Sequence, residues 1–402
     1  MKRTTIVSLL ILTTVCLTGC WSHKEINEIE VVSGIGVDKE KGQLRTSVQL
    51  VVPSAVSAKS SIDTSNGTPI TLLSATSKSI SESIRKMTID SPKVLYTSHL
   101  RVFVISEEIA KEGIGHVLDY LARDYSYRTD FYLIVAKGTS AESILKVMSP
   151  MGKVSSNVLY QSMEVSEKVW APSTPITLEK TLGMLAAGEK EIVLTSVDII
   201  GDREIIESTK NIETVKPPSQ MRIEELAVFK GDRLVGWLNE RESKGYNYIL
   251  NLIHSTVGTI PCPKEGTFAV NVTNSKTKMK PIFKHGKPEI QLSLKTEAAI
   301  NEMNCSVDLT KNETIDKLEE QTKKVIKTNM DLALIKAQTQ YHSDIFGFST
   351  QIHRSYPSYW KKHKKTWDQE FVTLPVTISI DLHLTNLGSI ANPIDIKKKE
   401  RK

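Results

Sequence analysis

The stretch HLRVFVISEEIAKEGIGHVLDYLARDYSYRTDFYLIVA, residues 99–136, decides the fold class. Its two ends, LRVFVIS (100–106) and RTDFYLIVA (128–136), are short apolar runs typical of strands. Between them the i, i+3, i+4, i+7 spacing predicts one buried helix face, which consists of Ile114, Val117, Leu118 and Leu121. Glu107 and Glu108 favour the helix start, because acidic side chains stabilise the amino-terminal end of a helix. A strand, a helix and a strand in succession predict a mixed fold.

Similar patterns extend in both directions from this stretch. Upstream, VVSGIGVD (31–38) and LRTSVQLVV (44–52) predict neighbouring strands. Downstream, the patterns predict helices at 140–148, 154–169 and 176–187, a strand at 191–200, a hairpin at 221–238 and a long helix from Lys311. The predicted fold class is α+β, with mixed helices and largely antiparallel sheets in three domains. The predicted divisions are a signal peptide (1–19), an N-terminal α/β domain (20–200), a middle domain with a linker and a hairpin (201–262), a C-terminal domain with a long helix on a sheet (263–395) and a basic tail (396–402).

The first twenty residues have the composition of an export signal. Lys2 and Arg3 precede an apolar run, residues 6–17, that is shorter than the roughly 18–20 residues of a membrane-spanning helix. The A-x-A-like ending of an ordinary signal peptide is absent, and LTGC (17–20) resembles the lipobox of bacterial lipoproteins. That resemblance implies a diacylglyceryl group on Cys20. Because the ten residues WSHKEINEIE reach at most about 35 Å, we expect the folded body to lie close to the bilayer.

Composition describes a folded protein and gives no argument for nucleic acid binding. The chain has 402 residues, of which 40% are hydrophobic and 24% charged, as in a globular protein of two or three domains. Without Lys2 and Arg3 it has 50 basic and 46 acidic residues, a net charge of +4 that is too balanced to predict nucleic acid binding. With Cys16 in the signal and Cys20 lipidated, the remaining cysteines, Cys262 and Cys305, form either a disulfide or two buried thiols.

No motif predicts catalysis, a cofactor or a metal. GMLAAGEK (183–190) has the glycine spacing of a phosphate-binding loop, but Glu189 stands where that loop needs lysine. GIGVD (34–38) lacks the third glycine of a dinucleotide fingerprint, and close backbone packing explains its glycines better. The nine histidines are scattered without metal-ligand spacing. We therefore expect no enzymatic activity.

Two basic segments each allow two interpretations. RSYPSYWKKHKKTWDQEF (354–371) either rests on a membrane interface or is a helix with Trp360 and Trp367 in the core, and we favour the second. The tail residues Lys397, Lys398, Lys399, Arg401 and Lys402 either contact anionic lipid or form a solvated end.

Four blocks in order along the chain resemble one family, the GerAC-like lipoproteins, which are the C subunits of spore germinant receptors. The blocks are CWSHKEINEIEVVSGIGVD (20–38), the stretch 99–136, ELAVFKGDRLVGWLNERESKG (225–245) and DIFGFSTQIHRSYPSYWKKHKKTWDQEF (344–371) with the LPV strand that follows. The loops 53–69 and 201–220 match poorly. The resemblance implies a three-domain protein, lipid-anchored to the outer face of the cell membrane or spore inner membrane. It also implies integral-membrane A and B subunits as partners, in a non-catalytic role in receptor assembly or signalling.

The resemblance also selects candidate residues. We expect eight residues of the family-like blocks to be structural or partner contacts, namely Gly34, Gly36, Asp38, His99, Asp119, Arg123, Asp124 and Arg128. The last four fall on the family-like pattern LD-x-L-x-RD-x-x-x-R. Asp119 and Arg123 are four apart and can pair on a helix surface, which contributes only about 0.3–0.5 kcal/mol.

Two other classes remain as alternatives. A solute-binding lipoprotein of a membrane importer has a similar length and the same anchor, but such chains usually have two similar lobes. A cell-wall hydrolase needs a metal or a nucleophile site, and no motif for either is present in the sequence.

Overall fold

The computed structural model describes residues 26–53, 56 and 68–386, and the predicted anchor Cys20 and the basic tail lie outside these residues. The strands are β1 (Ile29–Glu40), β2 (Gln43–Val51), β3 (Ile70–Ser77), β4 (Val94–Tyr96), β5 (Val102–Ser106), β6 (Tyr132–Ala136), β7 (Val193–Gly201), β8 (Ser219–Lys230), β9 (Arg233–Leu238), β10 (Thr256–Pro261), β11 (Thr267–Lys284), β12 (Lys287–Met303) and β13 (Val376–Asn386). The α-helices are α1 (Ile80–Lys86), α2 (Glu107–Glu112), α3 (Gly115–Arg123), α4 (Ala141–Lys146), α5 (Ser155–Val169), α6 (Leu178–Ala187), α7 (Glu240–Ile249), α8 (Asn312–Ile335), α9 (Phe348–Ser355), α10 (Pro357–His363) and α11 (Trp367–Val372).

The strands form one large and one small sheet in an α+β fold. The large sheet has the order β3-β2-β1-β5-β6-β7-β8-β9, and β4 pairs with the beginning of β1. Its centre, from β1 to β7, is parallel, and its outer strands pair antiparallel. Every residue of β5 and β6 is buried, as expected for parallel strands that helices cover on both faces.

The stretch 99–136 forms two strands with a helical connection between them, as the sequence predicts. All four residues of the predicted helix face are buried. The helical segment is broken into α2 and α3 at Gly113, whose φ of +131° is available to glycine but not to most residues. The backbone carbonyl of Asp232 accepts from the Ile114 N–H at 2.9 Å, and its carboxylate accepts from the Gly115 N–H at 3.1 Å. A residue more than a hundred positions away in the sequence thus holds the break.

The hairpin β8–β9 belongs to the large sheet. It turns at Gly231–Asp232, within the predicted hairpin, and β8 pairs antiparallel with β7 from Val193↔Val228 to Gly201↔Ser219. The predicted boundary between residues 200 and 201 therefore falls inside a hydrogen-bonded sheet. Whether the three segments fold independently stays a prediction.

The small sheet carries the C-terminal core. Its order is β10-β11-β12-β13, with β12 and β13 parallel. The long helix α8 packs on β13 and on α7. Trp360 and Trp367 are buried with their ring centroids 5.5 Å apart, so the prediction that they lie in the core is confirmed.

Cys262 and Cys305 form a disulfide, with their Cα atoms 6.4 Å apart. That separation lies within the usual range for a disulfide. The bond closes a sequence separation of 43 residues between β10 and the end of β12. Of the two alternatives that the sequence allows, the structure has the disulfide.

Candidate partner-contact surface

The parallel strands β1, β5, β6 and β7 all begin at the same end of the large sheet. We call this end, where the strands start, the N-terminal edge. The first strand, β1, begins at this edge and pairs there with β4, from Ile29↔Val94 to Val31↔Tyr96. The segment Thr97–His99 follows β4 directly as one turn of 3-10 helix. The hairpin turn at Gly231 lies at the same edge, since Val228 of β8 is opposite Val193 at the start of β7.

Three large apolar side chains are exposed at this edge, near the start of β1 and near β4. Ile89, Val94 and Tyr125 are 85%, 53% and 100% exposed. The loop that carries Tyr125 is held beside β4, because the Ser126 carbonyl accepts from the hydroxyls of Thr97 (3.1 Å) and Ser98 (3.2 Å). Ile89 ends the short 3-10 helix just before β4. Single exposed apolar residues are ordinary, but three around the point where the chain enters are a candidate contact surface.

Five of the predicted residues lie on, or directly beside, the segments that carry this surface. Arg123 Nε lies 2.9 Å from both carboxylate oxygens of Asp119, and this hydrogen bond lowers the pKa of Asp119. Arg128 forms an exposed pair with Asp130, 2.9 Å apart. Such exposed pairs contribute little to stability, typically about 0–1 kcal/mol.

Asp124 and His99 make local contacts on the same surface. The Asp124 carboxylate accepts from the Ser126 N–H at 3.0 Å and from the Tyr120 hydroxyl at 3.3 Å, which shapes the loop that carries Tyr125. Burial raises the pKa of Tyr120 to about 12, so its hydroxyl stays protonated as a donor at neutral pH. His99 is exposed, with its ring 5.6 Å from that of Tyr96.

The other three predicted residues lie inside the sheet and are structural. A Cβ on Gly36 would meet backbone and side-chain atoms of Ala141 at 3.1 Å, and one on Gly34 would meet the Leu145 side chain at 2.7 Å. Close packing of β1 on α4 therefore explains both glycines. The Asp38 carboxylate accepts from the N–H groups of Ala141 (2.7 Å) and Glu142 (2.9 Å) at the start of α4. Burial raises the pKa of Asp38, although these two hydrogen bonds oppose that effect.

The eight predicted residues therefore do not form a single site. Sequence reasoning missed Ile89, Val94 and Tyr125, because an isolated exposed apolar residue gives no periodic signal. Within the described residues no group of three histidine, cysteine or acidic side chains is arranged to hold a metal ion. No helix among the same residues has the length and apolarity needed to cross a membrane.

Comparisons with known proteins cover nearly the whole chain. Residues 22–199 match the family model "Spore germination protein N-terminal domain", and residues 224–388 match "Spore germination B3/ GerAC like, C-terminal". The chain is 28% identical to Spore germination protein KC of Bacillus subtilis (strain 168) over 405 residues, which is 99% of each chain. It is 24% identical to Spore germination protein B3 of the same organism, over 97% of this chain and all of that one. The crystal structure of the GerBC protein has the same fold, with a TM-score of 0.55 and 20% identity over 88% of this chain and 97% of that one.

Proposed function

Because the chain belongs to the GerAC-like family of spore germination proteins, we propose that it is the lipoprotein subunit of a nutrient germinant receptor. In this role it contributes to receptor assembly or signalling without catalysing a reaction, and it associates with integral-membrane A and B subunits. The observation that carries the proposal is the match of both family models, in order, over most of the chain. In this proposal the protein is attached to the outer face of the cell membrane or spore inner membrane.

The proposed anchor is a diacylglyceryl group on Cys20. Two acyl chains give durable attachment, whereas a single chain binds only marginally, at about 10⁴ M⁻¹. From Cys20 to the start of β1 at Ile29 the chain spans nine residues, which reach about 30 Å at most. This short reach supports a body whose N-terminal edge faces the bilayer and the extracellular loops of membrane partners.

Co-purification tests the proposed role. The chain with a C-terminal affinity tag, solubilised in mild detergent from spore membranes, is expected to bring with it two multi-spanning proteins related to receptor A and B subunits. Mass spectrometry identifies them, and an untagged strain is the control. Purification of the chain without either protein, after mild cross-linking of intact spores, would contradict the proposal.

The orientation is tested with a polarity-sensitive dye on the lipidated chain in vesicles. Tyr125→Cys places a thiol on the N-terminal edge, and Gln43→Cys places one at the opposite end of β1, a strand of twelve residues and thus about 36 Å long. Labelling is specific, because Cys262 and Cys305 are bonded to each other. We expect nitroxide-labelled lipid to quench the dye at Tyr125→Cys severalfold more than at Gln43→Cys. Equal quenching at the two positions would contradict this orientation.

A further inference from the structure

A cavity of about 880 Å³ lies between the end of α6 and the three helices α9, α10 and α11. One wall is the segment between α6 and β7, residues 188–191, and the other is formed by α9, α10 and α11. Trp360 and Trp367 lie in its lining, and the hairpin turn at Gly231 borders it. The cavity therefore lies at the N-terminal edge, on the far side from β1.

Asp344 is the most buried acidic residue of the lining, and its carboxylate has hydrogen-bond partners within the protein. Asp344 is buried, and its carboxylate accepts from the N–H groups of Phe348 (3.0 Å) and Ser349 (2.8 Å) and from Trp367 Nε1 (3.1 Å). Burial raises the pKa of Asp344, and the three donors oppose that effect. These contacts hold the start of α9 and the Trp367 ring in place, so Asp344 is a structural residue.

The other three acidic groups of the lining also have partners. Each is held by a donor from a neighbouring element, and the pairs are Glu189 with the His353 ring, Glu191 with the Gly231 N–H at 2.7 Å and Asp368 with Lys230 at 3.1 Å. Each carboxylate of the lining therefore has at least one donor within the protein.

Unlike the acidic groups, the lysines of the lining have no ion-pair partner among the described residues. Lys190 is half-buried, and among the described residues no oxygen lies within hydrogen-bonding distance of its Nζ, which sits 6.0 Å from the centre of the Tyr246 ring. Burial lowers the pKa of Lys190 to about 8, although the nearby Asp344 charge opposes this effect. Three exposed lysines at the mouth, Lys361, Lys364 and Lys365, likewise have no ion pair within the described part of the chain.

We propose that this cavity binds a small anion with carboxylate or phosphate groups, held by Lys190 inside and by Lys361, Lys364 and Lys365 at the mouth. The pattern of hydrogen bonds around the cavity carries the proposal, because each acidic group of the lining has a donor within the protein, whereas no acceptor of the described residues binds the ammonium groups of these four lysines. A bound anion supplies the acceptor that the Lys190 ammonium lacks and removes the cost of burying an unpaired charge. The proposal is independent of the anchor and of the receptor partners.

Tryptophan fluorescence of the full lipidated chain tests this site, since two of the chain's five tryptophans line it. In one arm, inorganic pyrophosphate is added to the chain in phosphatidylcholine vesicles. In the other, phosphatidylglycerol replaces a fifth of the lipid and no pyrophosphate is present. A saturable change in the first arm alone identifies a free anion, and a change in the second arm identifies a lipid headgroup. No change in either arm would overturn the proposal.

Matched variants assign the signal to the cavity. Lys190→Met is expected to weaken binding at least tenfold, whereas Lys317→Met, on the exposed and ion-paired Lys317 of α8, is expected to leave it unchanged. Equal affinity of Lys190→Met and the wild type would overturn the proposal. If Lys190→Met does not fold, the double variant Lys364→Met/Lys365→Met decides, because both side chains are exposed. A loss of affinity of threefold or more supports the site, and unchanged affinity overturns it.

Discussion

Replacing Cys20 with alanine is expected to abolish the incorporation of radioactive palmitate into the chain and to weaken its attachment to the membrane. Each buried methylene of an acyl chain contributes about 0.8 kcal/mol to membrane binding. The described residues include thirteen exposed large apolar side chains, of which Ile89, Val94 and Tyr125 lie at the N-terminal edge. The readouts are palmitate labelling of sporulating cells and immunoblots of washed membrane and soluble fractions.

Cys16→Ala is the matched control, because Cys16 lies four residues earlier, inside the apolar run of the predicted signal. This variant is expected to be labelled and retained like the wild type. Undiminished labelling of the Cys20→Ala variant, or equal loss in both variants, would contradict a lipid anchor at Cys20.

Replacing Gly245 with alanine is expected to destabilise the protein strongly. Gly245 lies in α7 where this helix crosses α8, and a Cβ there would sit 2.0 Å from the Asn329 carbonyl oxygen. The obstacle is backbone, so relief requires the two helices to separate. Added atoms in a packed core typically cost about 1–3 kcal/mol, and a clash with backbone places this variant at or above the upper end.

Gly183→Ala is the matched control for helix propensity. Gly183 lies within α6, and a Cβ there meets nothing within 4 Å. Alanine is favoured over glycine in helix interiors by about 1 kcal/mol, so this variant is expected to be more stable than the wild type. Urea unfolding followed by circular dichroism measures both variants. Shifts of the same sign would show that α7 and α8 do not approach as closely as the structure indicates.

Local periodicity predicts much of the fold. The buried face Ile114, Val117, Leu118 and Leu121, the helices over 154–169 and 176–187 and the hairpin at 221–238 all follow from apolar spacing and turn residues. The seven-residue spacing of Trp360 and Trp367 likewise predicts their place in the core. These features depend on residues close together in the chain, and for that reason a single sequence contains the information.

Features that depend on distant residues were not predictable. The break at Gly113 is held by Asp232, and β8 joins the large sheet through β7, neither of which has a local signal. The anion cavity needs Lys190 and the lysines of α10 and its C-terminal flank to meet across more than 160 residues. The glycines of β1 pack against α4, which lies more than a hundred residues further along the chain and is not identifiable as their neighbour from the sequence.

In its proposed role, this chain serves a nutrient receptor through a lipid anchor. The most direct test of this role is the loss of optical density of spores after a nutrient mixture and, separately, after a surfactant that bypasses receptors. Wild-type spores are compared with spores that lack the chain and with spores that carry Cys20→Ala. We expect both mutant spores to lose the nutrient response and to keep the surfactant response. A full nutrient response in spores that lack the chain, or equal loss of both responses, would contradict the account.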